Sequence, residues 1–353
     1  MEYDTIPGRD AVPSELVGSA VQRREDPHLI TGDAEYTDDL QYPGEVHLAL
    51  LGSRYGHARI ESIDASAAEA MDGVLAAYTW TDVAESEAPG YMRVDDPAGG
   101  SAESDSETDG VAPEHPLLAD GHVTYQGQPV AAVVAENRYV AHDALDAVDV
   151  DYERLDAVVD PTEALGADAP ELHDDAAGNV AFEWEIGDAE RTDEAFAEAA
   201  HVASIELENQ LLIPNAMEPR AAVADYTPGT NELDVFMTSQ NPHLHRLLMS
   251  GVIGHPEHKL RVKAPEVGGG FGSKIHHYAD EALVAWTAKL LERPVKWTAT
   301  RTETYKTDAQ GRGHVTEAEL AMDDDGAVTG LRVDTTANLG AYLSTFAPSV
   351  PTY

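Results

Sequence analysis

A glycine-rich run, Gly268 to Lys274, is the segment of this sequence best suited to bind a ligand. Because glycine lacks a Cβ atom, the backbone there can approach a ligand closely and present N–H groups to an anion, helped by the positive end of a following helix. A P-loop needs Gly-Lys-Ser/Thr where this chain has Gly-Ser-Lys, and Ser273 stands where the dinucleotide fingerprint needs its third glycine. A glycine turn can be purely structural, but Phe271 has little folding reason to lie inside one. We therefore expect a polar or anionic ligand at this run.

Other residues with chemical potential form weaker patterns. Close pairs of histidines match no known metal-ligand spacing, so we expect solvated histidines at His243, His245, His255, His258, His276 and His277. Glu218, beside Pro219 and Arg220, is expected to form a structural ion pair rather than to act as a base. The run Asp323 to Asp325 lacks the distal glutamate of a calcium loop and predicts a turn. No side chain is predicted to ligate a metal directly.

The apolar patterns place the glycine run between a strand and a helix. Further strands are predicted at residues 45–51, 59–63, 74–78, 130–135, 148–152, 201–208, 221–226, 233–238, 260–262, 315–322 and 327–337. Helices are predicted at residues 66–71 and 139–147, and from Pro242 to about Gly251. A further helix is predicted after the glycine run, with Leu283, Trp286 and Leu290 on one face, and it should end before Pro294. Leu244, Leu247 and Leu248 are expected to form the buried face of the third helix. This mixture predicts an α+β or α/β first domain.

Length and composition favour two domains, because 353 residues exceed the usual size of one hydrophobic core. We expect a first domain at residues 1–160, with an N-terminal extension and a solvated acidic loop at 95–114, a linker at 161–178, and a second domain at 179–353. No apolar run approaches the roughly 18 residues of a membrane span, and the first ten residues lack the apolar core of a secretory signal. We expect a cytoplasmic protein.

The charge balance excludes several partners. The net charge of −43, from 65 acidic and 22 basic residues, would repel nucleic acid and anionic membranes. Self-repulsion on this scale is screened in molar salt, where the Debye length falls to roughly 3 Å, so a halophilic host is expected; an ordinary acidic protein is the alternative. With no cysteine, the chain cannot ligate an iron–sulfur cluster, which must belong to a partner.

Several segments resemble one family in family order. VGGGFGSK at 267–274 is similar to the glycine–phenylalanine loop of the molybdenum hydroxylases, which include xanthine dehydrogenases, aldehyde oxidases and aerobic carbon monoxide dehydrogenases. The other matching segments are REDPHLITG (24–32), YTDDLQYPGEVH (36–47), GQPVAAVVAENRYVAHDA (127–144), MEPRAAVADY (217–226), TSQNPHLHR (238–246), RPVKW (293–297) and NLGAYLSTFAPSVPTY (338–353). The resemblance covers nearly the whole chain. It implies an α+β fold in which a hammerhead domain precedes the first part of a molybdopterin-binding domain.

The resemblance also implies which residues face the cofactor. The backbone of Gly269, Gly270, Phe271 and Gly272 would contact the molybdenum ligands and the pterin dithiolene. Gln210 is the candidate for an amide that hydrogen-bonds an oxygen ligand of molybdenum. Gln240 is a second cofactor-side candidate, with an amide that closes a strand end as the alternative.

Two further positions resemble the substrate pocket of the family. Arg312 is similar to a substrate-binding arginine, although a solvated arginine in a turn is the alternative. Ile275 stands where purine-oxidising members carry a glutamate, and because it cannot form a side-chain hydrogen bond, purine substrates are disfavoured.

The implied activity is hydroxylation of an aldehyde, a heterocycle or a CO-like small molecule with oxygen from water. The cofactor would be molybdenum–molybdopterin in the cytosine dinucleotide form, and electrons would leave through 2Fe–2S and FAD partner subunits. No segment resembles the family's second cofactor-binding half, which carries the catalytic glutamate. We therefore expect no catalytic base within this chain and a downstream large-subunit piece as a partner. The alternatives are a non-catalytic cofactor-binding or assembly protein, or a truncated inactive fragment.

Overall fold

The structure is a computed structural model that describes residues 19–92 and 110–346. The chain divides into two compact units, residues 1–35 and 36–353. In the first unit, the short helix α1 (Asp26–Thr31) ends at Gly32, which adopts a left-handed conformation with φ of 83°. Within the described ranges, no helix has both the length and the apolar composition needed to cross a membrane.

The second unit interleaves short helices with strands. Its described helices are α2 (Ser66–Glu69), α3 (Trp80–Ala84), α4 (Arg138–Leu145), α5 (Pro161–Ala164), α6 (Ala189–Glu198), α7 (Pro242–Val252), α8 (Ala279–Leu291) and α9 (Arg301–Thr307). Its described strands are β1 (Val46–Gly52), β2 (Ala58–Asp64), β3 (Val74–Tyr78), β4 (Tyr91–Met92), β5 (His115–Pro116), β6 (His122–Val123), β7 (Pro129–Ala135), β8 (Asp149–Arg154), β9 (His201–Asn209), β10 (Ala221–Thr227), β11 (Glu232–Met237), β12 (Leu260–Lys263), β13 (Val295–Thr298), β14 (His314–Met322) and β15 (Val328–Ala337). This composition confirms the predicted α+β class.

A mixed seven-stranded sheet forms the centre of this unit, with strand order β12-β11-β10-β13-β1-β7-β3. The pairs β1/β13 and β11/β12 are parallel, and the other neighbours are antiparallel. Strand β7 reads PVAAVVA and is buried along its whole length, which explains its continuous apolar run. Because β1 pairs with both β7 and β13, the sheet joins strands from both sides of the expected linker. The domain boundaries therefore remain a proposal.

Helix α8 packs against this sheet and supplies much of its core. Residues Ala279 to Ala288 are all buried, and Leu283, Val284 and Trp286 belong to the same apolar cluster as β10, β11 and β13. A capping arrangement at Tyr278 and Glu281 starts the helix, and Glu292 ends it in a left-handed conformation. The buried helix anchors residues 275–278, the short segment that connects it to the glycine run.

A separate antiparallel sheet, β15-β14-β9, lies outside this core. Helix α6 contacts it through Ala195 and Phe196, which lie near Gly330. The register puts five large apolar side chains of this sheet on the opposite face, where they lie across the strands from one another, as Leu320 does from Leu331. Those side chains are at least one third exposed: Ile205, Leu207, Leu320, Leu331 and Val333.

Most predicted elements are confirmed within one or two residues, including the hairpin of β14 and β15 around the turn at Asp323 to Gly326. The predicted face of α7 was wrong: Leu247 is exposed, and the buried residues are His245, Met249 and Val252. The sequence analysis missed β13, α6 and α9.

The polar stretches have more structure than expected. The expected linker begins with the capped helix α5. Residues 95–109 of the expected acidic loop lie outside the described residues, as do residues 1–18 and 347–353. In the described end of that loop, the backbone N–H of Val111 donates a hydrogen bond to the carbonyl of Ala181.

Candidate functional site

The glycine run forms a loop with unusual backbone conformations. Gly269, Phe271 and Gly272 have φ values of 102°, 53° and 97°, all in the left-handed region. Phe271 is not a glycine, so its conformation carries strain that the surrounding contacts must hold. Its side chain is 74% exposed, and its ring lies over Gly269. A single 3₁₀ turn, Ser273–Ile275, follows the loop, and the helix predicted after the loop is α8, which starts at Ala279 and ends at Leu291, before Pro294 as expected. Leu290, expected on its apolar face, is 50% exposed.

Glu218 holds the start of this loop. Its carboxylate Oε2 accepts hydrogen bonds from the backbone N–H of Gly268 at 2.6 Å and from Nζ of Lys274 at 2.9 Å. Lys274 also donates to the backbone carbonyl of Glu218 at 2.9 Å. Lys274 is only 1% exposed, and its burial lowers the pKa while Glu218 opposes that shift. The prediction that Glu218 forms a structural ion pair is confirmed, but its partner is Lys274 rather than the adjacent Arg220.

Gln240 and His245, at the start of α7, hold the end of the loop. The side-chain oxygen of Gln240 accepts from the N–H groups of Gly272 and Lys274, at 3.1 and 3.3 Å. His245 Nε2 lies 2.9 and 2.8 Å from the backbone carbonyls of Ile275 and His276. Because both partners are acceptors, Nε2 must carry the hydrogen. The loop is thus tied down on both sides of its centre.

The centre of the loop offers three consecutive N–H groups. Among the described residues, the backbone N–H groups of Gly269, Gly270 and Phe271 have no hydrogen-bond partner. Around Gly272, a Cβ atom would meet nothing within 4 Å, so space is open there. Successive N–H groups at left-handed residues form a concavity that binds anions or polar oxygens. This geometry supports the prediction for Gly269, Gly270 and Phe271, whereas the N–H of Gly272 is already bonded to Gln240.

A buried arginine, Arg220, packs against Tyr278, whose hydroxyl donates to the loop residue Ser273. Arg220 is fully buried, forms a bidentate pair with Asp280, and donates through Nε to Asp308 at 2.6 Å. Its guanidinium lies 3.7 Å from the centre of the Tyr278 ring. Burial alone would lower the pKa of Arg220, but Asp280 and Asp308 raise it well above its ordinary value. Burial raises the pKa of Asp280 to about 6 against the opposing effect of Arg220.

The expected cofactor-side residue Gln210 and the expected substrate-side residue Arg312 lie on two neighbouring segments. Gln210 and Arg312 are both exposed, and Leu212 exchanges backbone hydrogen bonds with Gly311 at 3.0 and 2.8 Å. Arg312 has a left-handed φ of 68°. The Tyr278 hydroxyl connects these segments to the loop, because it donates to the Ser273 carbonyl at 2.6 Å and accepts from the Ala309 N–H at 2.9 Å.

Of the predicted site residues outside the loop, Gln240 contacts the glycine loop through its side chain, and Ile275 contacts it through its backbone N–H, which donates to the carbonyl of Gly272 at 3.2 Å. Gln210 makes no such contact among the described residues. Ile275 ends the 3₁₀ turn after the loop and is partly buried, and its carbonyl is one of the two that accept from His245.

The expectation of solvated histidines was wrong for four of the six, because only His243 and His258 are exposed. Nδ1 of His276 is buried without a partner among the described residues, and burial lowers the pKa of this ring to about 4. His245, His255 and His277 are buried, and burial lowers the pKa of His255 and His277. Their buried positions come from tertiary packing, which spacing alone does not reveal. No group of three or more potential metal-binding side chains occurs within residues 19–92 and 110–346.

Sequence reasoning missed the roles of Gly268, Lys274, Tyr278 and His245. The one available signal was Lys274 itself, a cation directly after an apolar glycine turn in a chain with few lysines. The carboxylate that pairs with it lies 56 residues earlier, and nothing in the sequence indicates that separation.

Family models match two parts of the chain. Residues 31–156 match the aldehyde oxidase and xanthine dehydrogenase a/b hammerhead domain, and residues 172–353 match the molybdopterin cofactor-binding domain.

Individual relatives agree with these matches. The chain is 35% identical to the carbon monoxide dehydrogenase large chain of Hydrogenophaga pseudoflava in an alignment of 352 positions that covers 95% of this chain and 42% of that protein. It is 33% identical to the nicotine 6-hydroxylase large subunit of Paenarthrobacter nicotinovorans, covering 93% of this chain and 38% of the relative. Quinoline 2-oxidoreductase from Pseudomonas putida 86 superimposes with a TM-score of 0.82 at 34% identity, covering 93% of this chain and 40% of the other. The chain thus spans about two fifths of the length of these relatives.

Proposed function

The chain belongs to the molybdenum hydroxylase family through its hammerhead and molybdopterin cofactor-binding domains, and on that premise we propose that its glycine loop binds the molybdopterin cofactor of an oxidoreductase large subunit. The observation that carries the proposal is the row of three N–H groups at Gly269, Gly270 and Phe271, which have no partner among the described residues. Their loop is tied at both ends and has open space at Gly272.

These residues fit such a cofactor. Gly269, Gly270 and Phe271 would hold it through the backbone, because polar oxygens and anionic groups accept hydrogen bonds from converging N–H groups. Gln240 keeps its amide beside them, and the exposed ring of Phe271 offers an apolar wall. When bound, the cofactor supplies the two-electron oxidation chemistry of the site, while the protein binds, orients and shields it.

The substrate-side proposals rest on Ile275 and Arg312. An aliphatic Ile275 offers no hydrogen bond to a purine, so we propose an aldehyde, a heterocycle other than a purine, or a CO-like molecule. Arg312, exposed beside Gly311, would contact a polar group of the substrate. The relatives are named for carbon monoxide, nicotine and quinoline chemistry, so their names support a small-molecule substrate without selecting one.

Partners complete the proposal. Phe271 is 74% exposed, whereas a cofactor of this size is held only when most of its surface is buried. Further walls, and a carboxylate base, would come from polypeptide outside the described residues. Because the chain has no cysteine, electrons would leave through 2Fe–2S and FAD subunits, and we propose that the assembly works in the cytoplasm.

Metal analysis tests the proposal. We would produce the protein at its natural full length with its neighbouring subunits and compare molybdenum content in the wild type, Gly270→Ala and Gly251→Ala. A Cβ atom at Gly270 would lie 2.7 Å from Cγ of Gln240 and closer to its amide, whereas one at Gly251 meets nothing within 4 Å. We expect at least about a tenfold loss of molybdenum in Gly270→Ala only.

The wild type also separates the alternatives. A folded wild-type protein without molybdenum would contradict the proposed function. Stoichiometric cofactor without oxidation of any aldehyde or heterocycle would instead favour a non-catalytic binding or assembly protein.

A further inference from the structure

The glycine loop is closed by one carboxylate that contacts both of its ends. Oε2 of Glu218 accepts from the N–H of Gly268, where the loop begins, and from Nζ of Lys274, where it ends. The backbone N–H of Glu218 also donates to the carbonyl of Gly268 at 3.2 Å. The three N–H groups proposed to face the cofactor lie between these two contact points.

The backbone of Gly268 lies so close to Glu218 that no side chain would fit at this position. A Cβ atom there would lie 2.5 Å from Cβ of Glu218, which is closer than real Cβ contacts occur. Gly268 is thus required for the approach of Glu218 rather than for that of a ligand. This contact fixes where the free part of the loop begins.

The contact between Glu218 and Lys274 is buried, and burial restricts its geometry. The side chains of Lys274 and Glu218 are 1% and 14% exposed, so the ammonium cannot exchange its partners for water. A buried ion pair adds little net stability compared with an apolar pair of similar size, because desolvation offsets the attraction. The buried ion pair of Glu218 and Lys274 therefore indicates a role in fixing the geometry of the glycine loop rather than in stabilising the fold.

We propose that Glu218 and Lys274 are positioning residues for the cofactor: they clamp the two ends of the glycine loop and thereby fix the three free N–H groups. The inference rests on the proposed function of the loop. It assigns a role to two side chains that do not touch the cofactor themselves. A purely structural ion pair would contribute to the fold but would leave cofactor retention unchanged once stability was restored.

The test uses the full-length protein and a paired substitution. Glu218→Leu with Lys274→Met replaces the ion pair by apolar side chains, so no unpaired charge remains and the thermal midpoint should stay near that of the wild type. The loop ends are no longer joined, so we expect cofactor retention, measured as molybdenum per protein, to fall about 10- to 100-fold. In cofactor-free protein, the Gly268 amide should exchange its hydrogen at least about tenfold faster.

Glu218→Gln provides a second variant if the double variant does not fold, because it keeps the shape and one acceptor oxygen while removing the charge that Lys274 needs. Glu319→Gln is the control, since it neutralises the exposed pair with Arg332 and should change neither readout. A folded double variant with wild-type molybdenum content and wild-type exchange at Gly268 would overturn the inference.

The two proposals can fail separately. A wild type without molybdenum contradicts the proposed function, while amide exchange in the same cofactor-free protein still reports whether the two side chains fix the loop. Wild-type Gly268 exchange as fast as that of an exposed amide would overturn the clamp.

Discussion

The glycines of the loop serve different purposes, and only some of them make room for a ligand. A Cβ atom at Gly268 would meet Glu218, and one at Gly270 would meet Gln240, so both glycines admit side chains of the protein itself. A Cβ atom at Gly272 would meet nothing within 4 Å, and its φ is 97°. This glycine therefore allows a left-handed backbone and leaves the loop accessible. A glycine run can therefore also mark the positions where other side chains of the protein must approach the loop.

The two candidate glutamines can be ranked by paired substitutions. Gln240→Leu removes the oxygen that accepts from Gly272 and Lys274, and we expect a loss of about 1–2 kcal/mol of stability together with lower molybdenum content. Gln210→Leu changes an exposed side chain, and we expect a stability change within about 0.5 kcal/mol and near-normal molybdenum. Thermal unfolding and metal analysis measure both. Loss of molybdenum in Gln210→Leu alone would restore Gln210 as the principal amide.

At the scale of elements, the sequence predicted the class and most of the strands because alternation and apolar runs are local signals. The buried run of β7 and the hairpin of β14 and β15 follow directly from such patterns. Strand β13 was missed because only four residues, Val295 to Thr298, join two partners far away in sequence. The glycine loop was identified from its composition, whereas its clamps involve residues 34 and 56 positions away.

Helix α8 and the strand β10 are linked by the buried arginine. Arg220→Met leaves Asp280, Asp308 and Glu281 without their cation, and we expect a loss of about 3–5 kcal/mol of stability. Arg332→Met, at an exposed ion pair, is the matched control with an expected loss of about 0–1 kcal/mol. Denaturant unfolding of both variants measures the difference. Equal losses of stability in the two variants would show that breaking the buried arginine network costs no more than breaking an exposed ion pair.

The segment after β15 is held by an aromatic cluster that contains a titratable ring. His115 stacks on Tyr342 with centroids 4.1 Å apart, and its Nε2 is buried without a partner among the described residues. Burial lowers the pKa of His115 from 6.5 to about 4. The unfolded chain therefore binds more protons within that window, so stability should fall as the pH falls from 6.5 to 4.

His115→Phe keeps the ring and removes the proton site. We expect the stability of the variant to fall by roughly 2 kcal/mol less than that of the wild type over that pH range. This figure is reduced to allow for the partial exposure of the ring. Urea unfolding at several pH values provides the measurement, with the exposed His122→Phe as control. An unchanged pH profile in His115→Phe would show that this ring does not set it.

For the whole molecule, charge is distributed unequally between surface and interior. Acidic residues outnumber basic residues by 65 to 22. Yet two of the few lysines, Lys274 and Lys296, are buried and hold backbone carbonyls, Lys274 that of Glu218 and Lys296 those of Asp38 and Leu40. Positive charge thus fixes internal geometry, while the exposed surface keeps its acidic excess.

That excess leads to the prediction about salt. A net charge of −43 on one chain opposes compaction, and the Debye length falls from roughly 10 Å at 0.1 M salt to roughly 3 Å at 1 M. We expect the thermal midpoint to rise steadily with KCl across that range, because screening weakens repulsion among surface carboxylates, whereas buried pairs such as Glu218 with Lys274 are screened much less. A non-ionic osmolyte at equal osmolarity is the control, since it favours compaction without screening charge. A midpoint that stays flat in KCl, or that rises equally with the osmolyte, would contradict the interpretation of a protein adapted to high salt.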